Sequence, residues 1–295
     1  MDVFIDGSFG TTGLSIERRL LNIPGVNLIK PDEKLRKDKK IKLDLSNNAD
    51  VVFLCLPDDA AREAAELIQN PDTVVIDAST AHRTSPDWAY GFPELSEKHA
   101  AAVSKFNRIS VPGCHASGFC ALIYPLVVNG LIGKEARLFC TSVTGYSGGG
   151  KKMIAEYESG NPSGGTVRAY SLGAPHKHLP EMTHVCGLQN PPLFLPVVTG
   201  VRQGMITSVP VEINANMVWE CLQKHYSKTR TLKVMPFGEP SSLDLEGTAG
   251  DGMEIYVYGD EKQALMSARF DNLGKGSGGA AVQCMKIRKK ITEDK

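Results

Sequence analysis

Seven cysteines lie at positions 55, 114, 120, 140, 186, 221 and 284, and one of them has the neighbours a nucleophile needs. In SVPGCHASG (Ser110 to Gly118), Cys114 follows a Pro-Gly turn and stands just ahead of a helix expected from about Ser117 to Val128. A thiolate there faces helix N-terminal amides, which stabilise negative charge and supply oxyanion donors. Cys55, Cys140, Cys221 and Cys284 sit inside apolar strand or helix patterns and read as small buried hydrophobes, and Cys120, further along the same helix as Cys114, reads as core. No CxxC pair occurs, so neither a disulfide framework nor a structural zinc site is suggested.

A thiol nucleophile needs a base for its proton, and imidazole suits that role near neutral pH. PHKHLPEM (Pro175 to Met182) supplies His176 and His178 with Glu181 after them, and spacing alone does not choose between the two rings. A metal reading of His176, His178 and His184 lacks the cysteine or carboxylate cluster that would complete a set, so no metal is expected. His82, His99 and His225 read as surface or structural residues. Two further stretches read as ligand loops. DASTAHR (Asp77 to Arg83) follows the carboxyl end of a strand, where open α/β sheets bind ligands, so Ser79 and Arg83 are candidates to face a site. GYSGGGKK (Gly145 to Lys152) offers serial backbone N–H groups at Ser147 and Gly148 with Lys151 and Lys152 beside them, which is a nest for an anion or else a simple turn.

At the N-terminus GSFGTTG places glycines at 7, 10 and 13, with Thr11 and Thr12 between them. This spacing binds a dinucleotide only if a strand precedes it and a helix follows, so that unpaired amides and the positive dipole end meet a pyrophosphate. Both flanks are present, in VFID and GLSIERRLLN. An NAD enzyme would commonly carry an acidic residue at the end of the second strand, but that residue is Lys30. Asp32 and Glu33 follow, outnumbered by Lys30, Lys34, Arg36 and Lys37, which favours NADP over NAD.

The elements that must hold these residues divide in two. VFID (Val3 to Asp6), VNLI (Val26 to Ile29), VVFLCL (Val51 to Leu56) and TVVID (Thr73 to Asp77) are β-branched runs, with the helix DDAAREAAELIQ between the last two. Such runs joined by helical crossovers indicate a parallel sheet covered on both faces. After Pro112 come longer β segments, RLFCTSVTG, TSVPVEI and MEIYVYG, with AEYESG and VWECLQKHY as the clearest helices, which suits an α+β domain on a largely antiparallel sheet. DNLGKGSGGAAVQCMKIRKKI then leads through a glycine-rich turn into a helix expected to return to the first domain. The expected fold is α/β plus α+β, with a dinucleotide-binding domain of residues 1–113 plus 271–295 and a catalytic domain of residues 114–270.

Composition excludes several alternatives. The chain has 295 residues, 33 Lys+Arg against 33 Asp+Glu and 42% hydrophobic residues, which is ordinary globular composition. No basic stripe is long enough to follow a phosphate backbone, so a small molecule and not a nucleic acid is the expected partner. MDVFIDGSFG carries no basic leader, and no segment approaches the roughly 18 apolar residues of a membrane span, so a cytoplasmic protein without membrane contact is expected.

GTTG, DASTAHR, YGFPEL, PGCHASG, SGGGK, HKHLPE and GKGSGGAAVQ, taken in this order, resemble N-acetyl-gamma-glutamyl-phosphate reductase of the shorter type over nearly the whole chain. The combination of PGCHA with HKHLPE is far more specific than any glycine motif. The resemblance implies a Rossmann-type NADP domain and NADPH-dependent reduction of N-acetylglutamyl 5-phosphate to the semialdehyde, with release of inorganic phosphate, in arginine biosynthesis. It implies that Cys114 attacks the acyl phosphate and that His178 serves as acid/base with His176 close behind. Glycine loops at both ends of the chain, the second including Gly276, would hold NADP(H), and a homo-oligomer is expected. Arg202, in FLPVVTGVRQG where the longer type carries a histidine, joins Arg83, Ser147, Gly148, Lys151 and Glu181 as candidates to grip the substrate. Aspartate-semialdehyde dehydrogenases share the chemistry, but DASTAHR and YGFPEL match the acetylglutamyl branch more closely. A different class, a cofactor-binding redox sensor, would need a resolving cysteine near Cys114, whereas an acyl-transfer enzyme needs the base and anion site that this sequence supplies.

Overall fold

Residues 1–291 are described by a computed structural model, apart from 36–37, 161, 163–164, 174 and 247–249. The first stretch of chain runs β1 (Asp2–Asp6), α1 (Thr11–Leu20), β2 (Asn27–Ile29), α2 (Lys39–Asn48), β3 (Val51–Leu54), α3 (Asp58–Leu67), β4 (Val74–Asp77), β5 (Ala89–Tyr90), α4 (Glu97–Lys105) and β6 (Arg108–Ser110). There follow α5 (Cys114–Val128), β7 (Phe139–Gly145), α6 (Gly150–Glu158), β8 (Arg168–Ala169), α7 (Leu179–Cys186), β9 (Leu193–Thr199), β10 (Met205–Val211) and α8 (Ala215–Tyr226). Then come β11 (Leu232–Val234), β12 (Met253–Gly259), β13 (Ala264–Phe270) and finally α9 (Gly279–Lys289). Two compact units result, one of Met1–Pro112 with Ser277–Lys295, the other of Gly113–Gly276.

In the first unit six parallel strands lie in the order β2-β1-β3-β4-β6-β5. The register aligns Ile5 with Phe53, Phe53 with Ile76 and Ile76 with Ile109 across neighbouring strands. Because side chains alternate along a strand, these four share one face, where Ile16 and Leu20 of α1, Val103 of α4 and Ala281 and Met285 of α9 bury them. Phe4, Val52, Leu54 and Val75 point to the other face and pack with Ala65 of α3 and Leu45 of α2. A parallel sheet covered on both faces is the Rossmann-type arrangement the β-branched runs predict. The last helix does return to this unit. Gly278 comes so close to α1 that a Cβ there would lie 2.6 Å from Ser15 Oγ, and Arg288 donates to Asn107 Oδ1 at 2.6 Å.

Differences from the sequence reading have local causes. The charge run Lys34 to Lys42 contains the start of α2, whose first turn is capped by Asp38, its Oδ1 accepting from Lys40 N at 2.9 Å and Ile41 N at 3.1 Å. Strands β5 and β6, of two and three residues, are too short to show a periodicity. Helix α5 starts at Cys114 itself, because Gly113 takes the extended cap conformation (φ −76°, ψ 146°). Ser117 is interior, its hydroxyl bonding back to Gly113 O at 3.1 Å, where the sequence suggests a helix start.

The second unit has a seven-stranded sheet in the order β11-β12-β13-β10-β7-β9-β8, antiparallel except for the β7–β9 and β11–β12 pairs. Helix α5 packs on β10 and β13 and against α7 and α8. At Gly118 a Cβ would meet Thr207 Oγ1 at 2.4 Å, so glycine is what lets this helix approach β10. Among the described residues no helix is long and apolar enough to cross a membrane.

Candidate active site

In the first unit the glycine loop is shaped by close backbone approach. Gly7 has φ +89°, and a Cβ on it would lie 2.2 Å from Cys55 O, at the end of β3. Gly10 N donates to Gly7 O at 2.9 Å and Gly10 then caps α1, while a Cβ at Gly13 would strike Gly7 O at 2.5 Å. Thr11 is the first residue of α1, and its Oγ1 is buried without a hydrogen-bond partner among the described residues. A buried hydroxyl beside unpaired helix amides fits a phosphate oxygen. Thr12 Oγ1 lies 3.2 Å from Ser277 Oγ, so the two glycine-rich segments of the sequence meet here.

Other sequence-predicted residues of this unit are engaged locally. Lys30 Nζ bonds Glu17 Oε1 at 2.5 Å, and Lys42, the last residue of the charge run, bonds buried Asp6 at 2.6 Å. Arg36 and Lys37 lie outside the described residues. Asp77 gathers the DASTAHR loop, accepting from Ser79 N at 2.9 Å and Ser79 Oγ at 2.7 Å, with His82 Nδ1 at 2.7 Å. His82 also stacks on Trp88 at 3.9 Å. Arg83 is buried and donates from Nε to Val111 O at 2.9 Å and from Nη2 to Ala78 O at 3.2 Å.

The second unit holds the candidate nucleophile. Cys114 is the N1 residue of a helix that is buried over most of its length. The backbone N–H of Gly113 donates to Glu181 Oε1 at 2.9 Å, which ties the first turn of α5 to the first turn of α7. His178 caps α7 and is buried, as is Glu181. His176 stands edge-on to His178 at a centroid distance of 4.8 Å, and its Nδ1 accepts from His178 N at 3.2 Å. Burial, with the Lys177 charge, pushes the His176 imidazole down to about 4, so it is neutral at physiological pH. A Cβ on Gly276 would lie 2.9 Å from Cys114 Cβ, so this glycine shapes the space beside the sulfur.

Sequence reasoning missed four side chains here. His115, next to the candidate nucleophile, is buried, with Nδ1 2.8 Å from Ser142 Oγ and Nε2 2.7 Å from Tyr170 OH. Ser142 Oγ in turn lies 2.8 Å from Thr207 Oγ1. Burial above all, then the His176 and Lys177 charges, lowers the His115 imidazole to about 3. The Tyr170 phenol is raised by burial and by the charge of Cys114. No spacing rule links residues 115, 142, 170 and 207; the only local hint was a histidine directly after the cysteine.

A second cluster in this unit holds the GYSGGGKK loop. Residues Tyr146–Gly149 form a 3₁₀ turn leading into α6. Buried Asn272 donates to Ser147 Oγ at 2.9 Å and accepts from Gly204 N at 2.9 Å, and Gly148 lies close against its amide. Ser147 N bonds the carbonyl of Arg202 at 3.0 Å. The Arg202 side chain is 60% exposed and pairs loosely with Glu158 at 3.6 Å, and Lys151 is exposed on the first turn of α6. Lys275, buried in the glycine-rich turn after Asn272, was not singled out by the sequence. Among the described residues no group of three or more His, Cys, Asp or Glu is placed to hold a metal ion.

Two family models match separate stretches of the chain. Residues 5–103 match the semialdehyde dehydrogenase NAD binding domain, and residues 114–272 match the semialdehyde dehydrogenase dimerisation domain. The chain is 42% identical to N-acetyl-gamma-glutamyl-phosphate reductase 2 of Pseudomonas putida, over 95% of this chain and 94% of that one. It is 38% identical to N-acetyl-gamma-glutamyl-phosphate reductase 2 of Nostoc sp., over 99% of this chain and 98% of that one. In fold it resembles aspartate semialdehyde dehydrogenase II of Vibrio cholerae, with a TM-score of 0.72, 16% identity and coverage of 99% of both chains. It also resembles the aspartate semialdehyde dehydrogenase of Candida albicans solved with NADP, with a TM-score of 0.63, 14% identity and coverage of 98% of both. With these relatives and both family models spanning most of its length, the chain belongs to the N-acetyl-gamma-glutamyl-phosphate reductases of the semialdehyde dehydrogenase family.

Proposed function

We propose that the protein reduces N-acetyl-L-glutamyl 5-phosphate to N-acetyl-L-glutamate 5-semialdehyde, with NADPH as reductant and release of inorganic phosphate, as a cytoplasmic homo-oligomer in arginine biosynthesis. The observation that carries this reading is the tie from Gly113 N to Glu181, which holds Cys114 and the buried His178 on two joined helix starts. His178 accepts the thiol proton. The Cys114 sulfur attacks the acyl carbonyl, and the carbon–oxygen bond to phosphate breaks to leave a thioester. When bound, NADPH supplies the hydride that reduces this thioester. Collapse of the resulting alkoxide breaks the carbon–sulfur bond, frees the aldehyde and returns the sulfur as thiolate, which recovers its proton from His178.

Neutral His176, its Nδ1 already bonded to backbone, orients substrate in this scheme. Glu181 positions the Cys114 turn. Ser147, Gly148, Lys151, Arg202 and Arg83 are the candidates for the substrate's anionic groups. The glycine loop with Thr11 and Thr12 fits the cofactor pyrophosphate, Lys30 its 2′-phosphate, and Ser79 and Gly276 complete the cofactor contacts. The reverse reaction tests the reading: purified protein with NADP, phosphate and N-acetylglutamate semialdehyde at alkaline pH should give phosphate-dependent reduction of the nicotinamide. Faster turnover with aspartate semialdehyde would move the protein to the aspartate branch, and no turnover with either would end the proposal.

A further inference from the structure

Four polar side chains of the second unit form one hydrogen-bonded line: Thr207 Oγ1 to Ser142 Oγ at 2.8 Å, Ser142 Oγ to His115 Nδ1 at 2.8 Å, and His115 Nε2 to Tyr170 OH at 2.7 Å. Distances alone leave two directions for the protons. If they ran away from Tyr170, the phenol would donate to Nε2, Nδ1–H to Ser142 and the Ser142 hydroxyl to Thr207. The Thr207 O–H would then be left over. Thr207 is fully buried, and no other described residue offers it an acceptor. A buried donor without an acceptor is the costly case in hydrogen-bond accounting.

Run the other way, every buried proton is used. Thr207 donates to Ser142, Ser142 to His115 Nδ1, and His115 Nε2–H to the Tyr170 oxygen. The one proton left over is that of the Tyr170 hydroxyl, at the half-buried end of the line where a ligand or solvent can accept it. A neutral His115 has a single ring proton, and this direction places it on Nε2. The backbone fixes the endpoint, since Tyr170 N is held by Pro196 O at 3.1 Å just beyond β8.

We infer that the Tyr170 hydroxyl is a hydrogen-bond donor to the anionic centre at Cys114, aimed there by the one-way line from Thr207 through Ser142 and His115. The inference rests on the proposed thioester chemistry for what that anion becomes. It is the thiolate before attack and the oxyanion of each tetrahedral adduct afterwards, and Tyr170 donates to it without giving up its proton. The Tyr170 ring stands 6.3 Å between centroids from that of His115, the residue next to Cys114, and 6.0 Å from that of His176, which places the phenol in the histidine cluster at the head of α5; burial, and then the charge of Cys114, keep it protonated. Tyr170 is thereby a catalytic residue of the reaction, and His115 and Ser142 are positioning residues behind it.

Three measurements on the full-length protein test this. With ¹⁵N-histidine label, and the His115 signals identified by their loss in His115→Gln, the Nε2–H tautomer is expected; the Nδ1–H tautomer overturns the inference whatever the activity. In Tyr170→Phe the pH for half-maximal alkylation of Cys114 by iodoacetamide should move upward, because the thiolate has lost a donor; an unmoved profile overturns it. With acyl phosphate as substrate, Tyr170→Phe should lose roughly 10²- to 10³-fold in kcat with little change in KM, as oxyanion donors do. A kcat within threefold of wild type overturns the inference. Wild-type protein inactive on acyl phosphate would instead overturn the proposed reaction, and the tautomer and alkylation profiles would still decide whether Tyr170 serves Cys114.

Discussion

His115 makes the second unit sensitive to acid in a way that one substitution isolates. Its imidazole, held down to about 3 chiefly by burial, stays neutral in the folded protein at pH values where the unfolded chain takes a proton near 6.5. The sign follows from linkage: between those two values the unfolded state binds more protons, so stability is complete above about 6.5 and falls as pH drops toward 3. For one such site, lowering the pH from about 7.5 to about 4.5 costs between about 2 and 3 kcal/mol. His115→Gln cannot titrate. It should be less stable than wild type at pH 7.5, having lost its bonds to Ser142 and Tyr170, yet its deficit should shrink by that same amount by pH 4.5. The chain has two tryptophans, and Trp219 of α8 belongs to the second unit, so its emission in a Trp88→Phe background follows that unit during urea unfolding. Parallel losses of stability in the two proteins, with a difference that stays constant within about 0.5 kcal/mol across the pH range, would refute a buried neutral His115.

Replacing Cys114 by Ala or Ser should abolish turnover and leave NADP(H) binding intact by fluorescence titration, since a serine hydroxyl, far less acidic than a thiol, does not ionise enough without a dedicated triad to replace the thiolate. His178→Ala should lose roughly 10²- to 10⁴-fold in kcat and recover part of it as pH rises, whereas His176→Ala should act mainly on KM; the opposite pattern would exchange their roles. Asn272→Ala removes two buried bonds and leaves Gly204 N–H unsatisfied, which should destabilise the protein by about 2–4 kcal/mol in urea melts, with Asn272→Asp milder because it still accepts from Gly204. Lys30→Ala should lower the preference for NADPH over NADH by less than about tenfold in kcat/KM, because Glu17 already shares that charge, and an unchanged preference would remove Lys30 from the 2′-phosphate site.

What the sequence made legible was whatever repeats or lies close along the chain. The β-branched runs of the first sheet, the glycine spacing with its flanking strand and helix, and the return of α9 all carry local signatures. Helix α2 was hidden because lysines mask the weak apolar spacing of KKIKLDLSNN, although Asp38 two residues before Lys40 was a readable cap. The environment of Cys114 was legible only at Cys114 itself. Ser142, Tyr170 and Thr207 come from β7, the end of β8 and β10, so their convergence on His115 is a product of strand order, which no single segment encodes. Asn272 escaped for the same reason, since its partners Ser147 and Gly204 lie 125 and 68 residues away.

The helix that begins at Cys114 has another consequence. Of its residues, His115 through Ile123 are buried without interruption, so the sulfur proposed to react is mounted on a buried helix of the second unit and not on a surface loop. A nucleophile mounted this way inherits the tolerances of close packing, in which a change of one methylene is felt by the neighbours. Substitutions at remote interior sites such as Leu222 or Met266 would then register as lost turnover before they register as lost solubility. Specific activity per folded molecule thus serves as a gauge of interior order. Variants selected only for remaining in solution would need to be re-screened for the alignment of this one sulfur.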